Sequence, residues 1–154
     1  MKKVLILSLF LVIIMSACTS ILEPTVEGIE HVDVVNFSKD NIELNAFMVL
    51  KNPNNFELDL DNADLTLYVD EIELAKINQT FETTMPKEGN FNMPININMD
   101  LKRLYEENPL QAISKGLEIM SDKKLDVHFK GTIDVGKGMA KVSVPVDQLE
   151  EVKF

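Results

Sequence analysis

A single cysteine, at position 18, stands in the whole 154-residue chain, so no disulfide can form within it. The two histidines, His31 and His128, are far apart, and no glutamate-flanked histidine pair at helical spacing occurs. A zinc site is therefore not expected. Basic residues are in deficit, with 15 Lys and Arg against 25 Asp and Glu, for a net charge of −10. Nucleic acid is excluded as a partner, because its phosphates need Lys and Arg to displace their counterions. Electrostatic docking on anionic lipid is disfavoured for the same reason, and any membrane attachment has to be covalent or apolar. No Gly-X-Ser-X-Gly elbow and no phosphate-cradling glycine loop is present, nor does any Ser, His and Asp arrangement mark a nucleophile. The chain is expected to be no enzyme and to carry no cofactor or metal. A membrane-spanning helix is lacking too: the longest apolar run, Val4 to Met15, covers 12 residues and is interrupted by Ser8, whereas a span needs about 20.

What is present begins with that run. Lys2 and Lys3 precede it, and Ser16, Ala17 and Cys18 follow. This is the layout of a secretory signal, with small residues at the cleavage point. Met15-Ser16-Ala17-Cys18 resembles the lipobox of bacterial lipoproteins, with Met15 where leucine is usual. The resemblance implies that Cys18 is acylated on its thiol and becomes the first residue of the mature chain. Residues 1–17 then form a lipoprotein signal peptide, 18–25 a lipid-anchored tether, and 26–154 one domain. Loss of Lys2 and Lys3 leaves 13 basic against 25 acidic side chains, a balance of −12. Thr19 stands where an aspartate would favour retention at the inner membrane. The expected location is the bacterial cell envelope, at the outer membrane and facing the periplasm.

Apolar residues at 45% and charged residues at 26% are ordinary for a globular domain with a real core. From Val26 onward the dominant pattern is alternation with period two, which sends successive side chains to opposite faces of a sheet. Phe91, Met93, Ile95, Ile97 and Met99 alternate with polar residues and Pro94. Leu125, Val127, Phe129, Gly131, Ile133 and Val135 do the same, as do Ala140, Val142, Val144 and Val146, and Leu65, Leu67 and Val69. Val32 to Phe37, Ile42 to Leu50 and Ile72 to Ile77 complete the strands. Ala46 to Leu50 is apolar on both faces, which suits a central strand or a covered end. Pro94 cannot donate to a ladder and suggests a free edge. Gly136-Lys137-Gly138 predicts a tight hairpin, and Asp70-Glu71 a two-residue turn without its usual glycine. Short strands at this spacing predict an all-β fold, an antiparallel β-sandwich of immunoglobulin or fibronectin type III kind with about seven strands.

One helix interrupts the pattern. Asn108 is a candidate N-cap, Pro109 suits the first helical position, and Leu110, Ile113, Leu117 and Met120 form one apolar stripe. A short helix is expected near 109–121, its stripe packed inward to close one end of the sandwich.

Lys51-Asn52-Pro53-Asn54-Asn55-Phe56 joins two strands. Leu58-Asp59-Leu60, Leu65 to Asp70 and Glu73-Leu74-Ala75 follow it, and further on come Met93-Pro94-Ile95-Asn96-Ile97 and Gly131-Thr132-Ile133-Asp134. The order and spacing of these segments resemble the late embryogenesis abundant group 2 family, also called the water stress and hypersensitive response domain. In that family an Asn-Pro-Asn motif ends a strand, and Asn52, Pro53 and Asn54 match it position by position. Asp70-Glu71 departs from the family's usual Asn-Gly turn. The resemblance spans roughly residues 26–147 and implies a non-enzymatic role in stress or desiccation tolerance. Taken on their own chemistry, Asn52, Pro53 and Asn54 make a corner between sheets, since proline presets φ and asparagine side chains mimic backbone turns.

Asp59, Asp61, Asn62 and Asp64 offer oxygen ligands of the kind calcium takes, but the glycine and distal glutamate of the helix–loop–helix calcium pattern are missing. A solvated strand face is the expected reading. Besides stress protection, the alternatives are a binding module for an apolar ligand or lipid, with inward methionines as an adaptable lining, and an assembly partner for another envelope protein.

Overall fold

The computed structural model describes residues 20–38, 40–107, 109–110 and 124–153. The chain forms β1 (Thr25–Phe37), β2 (Asn41–Lys51), β3 (Leu58–Val69), β4 (Ile72–Met85), β5 (Asn90–Asp100), a short helix α1 (Lys102–Glu107), β6 (Lys124–Lys137) and β7 (Ala140–Lys153). A three-stranded sheet in the order β1-β2-β5 faces a four-stranded sheet in the order β4-β3-β6-β7. Every ladder is antiparallel. The all-β sandwich architecture expected from the alternation is the one the chain adopts. Most apolar members of the alternating series point between the sheets, where Leu44, Met48, Leu65, Met93, Phe129 and Val146 join one core; Ala140, beside the turn, is exposed.

β2 is the central strand of the small sheet; of its apolar stretch Ala46, Met48 and Leu50 face the core, whereas on the outer face Val49 is buried and Phe47 is exposed. β5 is an edge strand, as Pro94 requires, and pairs its proline with Phe47 of β2. On its free side the Asn96 N–H donates to the Gln79 side chain of β4 at 2.9 Å, linking the two sheets where β4 and β5 meet.

The apolar series changes parity within β3, from Leu58 and Leu60 to Ala63, Leu65, Leu67 and Val69. A bulge between Leu60 and Asn62 supplies the extra residue and keeps both halves facing inward. Gly131 of β6 sits opposite Leu65. A Cβ there would lie 2.1 Å from the Asp64 carbonyl oxygen, so only glycine lets the two backbones approach this closely.

Several boundaries differ from the sequence expectation. β1 begins at Thr25 and bends through shifts near Gly28 and His31, the latter at φ 52°; these bulges break the alternation that would have marked its first half. β4 runs on from Ile77 to Met85, because Thr80, Thr83 and Thr84 continue the ladder with β3 without alternating cleanly. The β6–β7 turn lies at Gly138-Met139, flanked by the Lys137–Ala140 pair, and Gly136 stays within the strand. Gly138 at φ 61° occupies the first central position, where a type II′ turn wants glycine. Asp70 and Glu71 form the expected two-residue turn, both at positive φ (48° and 69°), the signature of type I′. Of the helix expected near 109–121, only Pro109 and Leu110 are described; both are helical, and Leu110 is exposed. Ile113, Leu117 and Met120 lie outside the described residues, as do Cys18 and residues 1–17.

Candidate functional site

Two connections cross between the sheets at the same end of the sandwich: residues 52–57 carry the chain from β2 to β3, and residues 86–89 carry it from β4 to β5. A crossover inside a packed end leaves backbone groups without a ladder, and each needs a partner. The backbone supplies two, with the Asn52 N–H donating to the Gly89 carbonyl at 3.0 Å and the Glu88 N–H to the Asn54 carbonyl at 2.9 Å. The side chains of Asn52 and Asn54 supply the rest.

Both amides are buried, at 0% and 3% exposure, and they are the buried polar residues among those described. Asn52 Nδ2 donates to the Phe56 carbonyl at 2.9 Å and to the Pro86 carbonyl at 3.0 Å, binding the two crossovers together. Its Oδ1 accepts from the backbone N–H and from Nδ2 of Asn54, each at 2.9 Å. Asn54 then reaches outward. Its Nδ2 donates to the Leu22 carbonyl at 2.8 Å, and its Oδ1 accepts the Leu22 N–H at 2.8 Å. One side-chain amide thus pairs with a backbone residue as a neighbouring strand would. Pro53, between the two asparagines, stays exposed and presets the turn.

The sequence located this corner and its turn chemistry. Its partner ahead of β1 carries no sequence signal of its own, because Leu22 is held through its backbone and 32 residues separate it from Asn54. A usable signal was present: two asparagines between the apolar Val49-Leu50 and Phe56 sit where burial is expected, and buried amides must find partners.

Other polar groups pair on the outer faces. His128 of β6 hydrogen-bonds Asp147 of β7, and this bond holds the Asp147 carboxyl below its ordinary range. Lys141 Nζ lies 2.7 Å from Asp61 Oδ2, and that hydrogen bond and charge raise the lysine above its ordinary value. Asp61, weighed above as an oxygen ligand, is thus committed to a lysine, and Asp64 faces solvent. Among the described residues no group of three or more His, Cys, Asp and Glu is placed to hold a metal ion. His31 lies in the β1 bulge with its ring edge-on to Phe47, 6.2 Å between centroids.

Between the sheets the methionines are packing residues. Met48, Met85, Met93 and Met99 are all at 0% exposure, packed as core residues. Two open depressions among the described residues lie outside the core. One, of about 340 Å³, runs between the start of β1 and β7, lined by Pro24, Val26, Val144 and Pro145 among others. The other, of about 210 Å³, lies on the small sheet near Val35, Asn45 and Asn98.

A family model described as late embryogenesis abundant protein matches residues 48–148, more than half of the chain and the whole Asn-Pro-Asn corner. The chain belongs to the late embryogenesis abundant family, group 2. Membership makes it a stress-related protein of the late embryogenesis abundant type, in a family that is generally non-enzymatic. Leu22, bound by Asn54, precedes the matched segment, as do β1 and most of β2. A protein of Arabidopsis thaliana solved in solution has a similar fold, with TM-score 0.66 at 14% identity over 90% of this chain and 87% of that one. A crystal structure of a protein from Archaeoglobus fulgidus is similar at TM-score 0.55 and 10% identity, over 84% of this chain and 98% of that one. At such identities the likeness shows the fold alone. No curated protein matches the chain.

Proposed function

We propose that this late embryogenesis abundant protein is a non-catalytic envelope lipoprotein, acylated at Cys18, which protects neighbouring membrane or protein by contact during water stress. In this reading it sits at the outer membrane and faces the periplasm. The observation that carries the proposal is the saturated amide corner. Asn52 and Asn54 have the geometry of a structural lock, with their donors and acceptors turned to backbone and to each other, and neither is aimed at a vacant cleft. The residues a site search would flag in this family therefore serve the scaffold. The lipobox-like Met15-Ser16-Ala17-Cys18 supplies the anchor, and two acyl chains or more make such anchoring stable. The inward methionines belong to the core cluster, which favours contact through the outer surface as the mode of action.

The test has two parts. Mass spectrometry of the protein taken gently from its own membranes should find Cys18 at the N-terminus carrying lipid, and Cys18→Ser should leave the membrane fraction. Cells lacking the protein should lose viability on drying and rehydration, with rescue by the wild type and not by Cys18→Ser. A Cys18→Ser protein that stays membrane-bound would refute the anchor. Unchanged survival in the deletion strain would refute the protective role.

A further inference from the structure

We infer that the domain stands end-on to the bilayer, with the Asn-Pro-Asn end and the Gly138-Met139 hairpin tip against the lipid and Met139 seated in the interface. The inference rests on acylation of Cys18 and adds the orientation of the domain and the group that touches lipid.

The first support is the clamp. Leu22 is bound through both its N–H and its carbonyl to Asn54. Only Thr19, Ser20 and Ile21 separate it from Cys18. Four Cα–Cα steps span at most about 14 Å, so the Asn-Pro-Asn end cannot stand farther than that from the acylated residue. The sandwich itself is much longer: β3 has 12 residues, about 40 Å at the usual rise per residue. The opposite end, with α1 and the Asp70-Glu71 turn, is therefore held well away unless the domain lies flat.

The second support is the register. Leu58 at the start of β3 pairs with Met85, and Asp59 pairs with Gly136 at the end of β6, so the β6–β7 tip belongs to the tether end. β1 and β7 both run away from that end. Val26 shares a groove with Val144. Met139 lies five residues ahead of Val144, and Ser20 lies six residues ahead of Val26. The tip and the tether thus project the same way by comparable lengths, roughly 17 to 20 Å along an extended chain.

The third support is chemistry. Met139 is fully exposed, at 102%, whereas Met48, Met85, Met93 and Met99 are sealed in the core. Leu22 is 57% exposed beside the anchor. The stretch from Lys137 to Lys141 holds two lysines and no acidic residue, in a chain of net charge −10, and Asp61 accompanies Lys141. An apolar tip beside a long cationic side chain fits the interface, where the methionine enters the acyl boundary and Lys137 reaches the headgroups.

The test uses the full acylated protein. With Cys18 modified, an introduced cysteine is the sole free thiol. Met139→Cys and, at the far end, Glu106→Cys are each labelled with an environment-sensitive fluorophore. They are then reconstituted in phosphatidylethanolamine–phosphatidylglycerol vesicles containing a lipid spin-labelled near the headgroup. The label at 139 should shift to the blue and lose most of its emission to the quencher, while the label at 106 keeps the spectrum of the free protein. Floating vesicles that carry the protein with both labels unquenched would overturn the orientation and leave the anchor intact. Quenching at both positions would mean that the domain lies flat, and would equally overturn it. Protein that fails to float, with Cys18 unmodified by mass, would end both readings.

Discussion

The side-chain amide of Asn54 grips the backbone of Leu22 at both ends, accepting its N–H and donating to its carbonyl, each at 2.8 Å. The chain ahead of β1 is therefore docked on the sandwich at Leu22, four residues after Cys18 in the sequence. Replacing Asn54 by leucine removes both bonds and a third to Asn52 Oδ1. With net hydrogen-bond contributions near 1 kcal/mol apiece, the expected loss is about 2–3 kcal/mol, read as a lower midpoint in urea. The Leu22 amide should also exchange faster than those of the core strands. Equal stability and unchanged exchange would show that the clamp does not hold.

Asn54→Asp separates the roles of the two amide atoms. The aspartate keeps an acceptor for the Leu22 N–H but turns a charged oxygen toward the Leu22 carbonyl and Asn52 Oδ1. This variant should be destabilised at neutral pH and should recover part of the loss below about pH 4, where a protonated carboxyl donates again. Denaturant midpoints at two pH values, set against the wild type at the same pH values, check the sign.

Gly131→Ala places a methyl group 2.1 Å from the Asp64 carbonyl oxygen, where β3 and β6 meet most closely. Backbone has to move, and overpacking of this kind costs about 3 kcal/mol. Gly138→Ala has open space around the new Cβ and pays only for its positive φ of 61°, about 1 kcal/mol. Thermal melts of the two variants should rank them in that order.

Glu71 sits at φ 69° in a turn that favours glycine at this position. Glu71→Gly should raise stability by about 0.5–1 kcal/mol by relieving the left-handed backbone strain. A drop in stability would show that the glutamate side chain contributes more than its backbone strain removes.

The Asp147 carboxyl is held below the ordinary range by its hydrogen bond to His128. A depressed folded-state value means that its contribution is present above the unfolded carboxylate value and fades as pH falls through the lower, folded one. An NMR titration should place Asp147 among the last carboxylates to protonate, and His128→Leu should return it toward the ordinary range. Lys141 runs the other way. Its raised value, caused by Asp61, means that its contribution holds below the ordinary lysine value and disappears as pH rises through the higher, folded one.

Much of this architecture is written in the alternation of side chains. The series ending in Met99, Val135 and Val146 each place one apolar face inward, and only facing sheets can bury several such faces at once. Proline at 94 marked an edge, and a doubly apolar β2 marked a centre. The Asn-Pro-Asn corner was legible as a turn and as the family motif. The bulges of β1, by contrast, erase the local period and hid its start. In β4, threonines that pair well but alternate poorly hid its end. The hairpin tip moved from Gly136–Gly138 to Gly138-Met139 because strand register, settled across all of β6 and β7, chooses which glycine turns.

Residue order alone therefore determined the fold class, the inward faces and the corner at Asn52 to Asn54, because periodicity and turn chemistry act between near neighbours. Only the tertiary structure decided that Asn54 binds Leu22, that Gly131 touches β3, and that Met139 and the start of β1 share one end. Those relations join positions distant in sequence, and the first two run through the backbone groups and close approaches that every residue shares. They become visible only when the sheets have closed on each other.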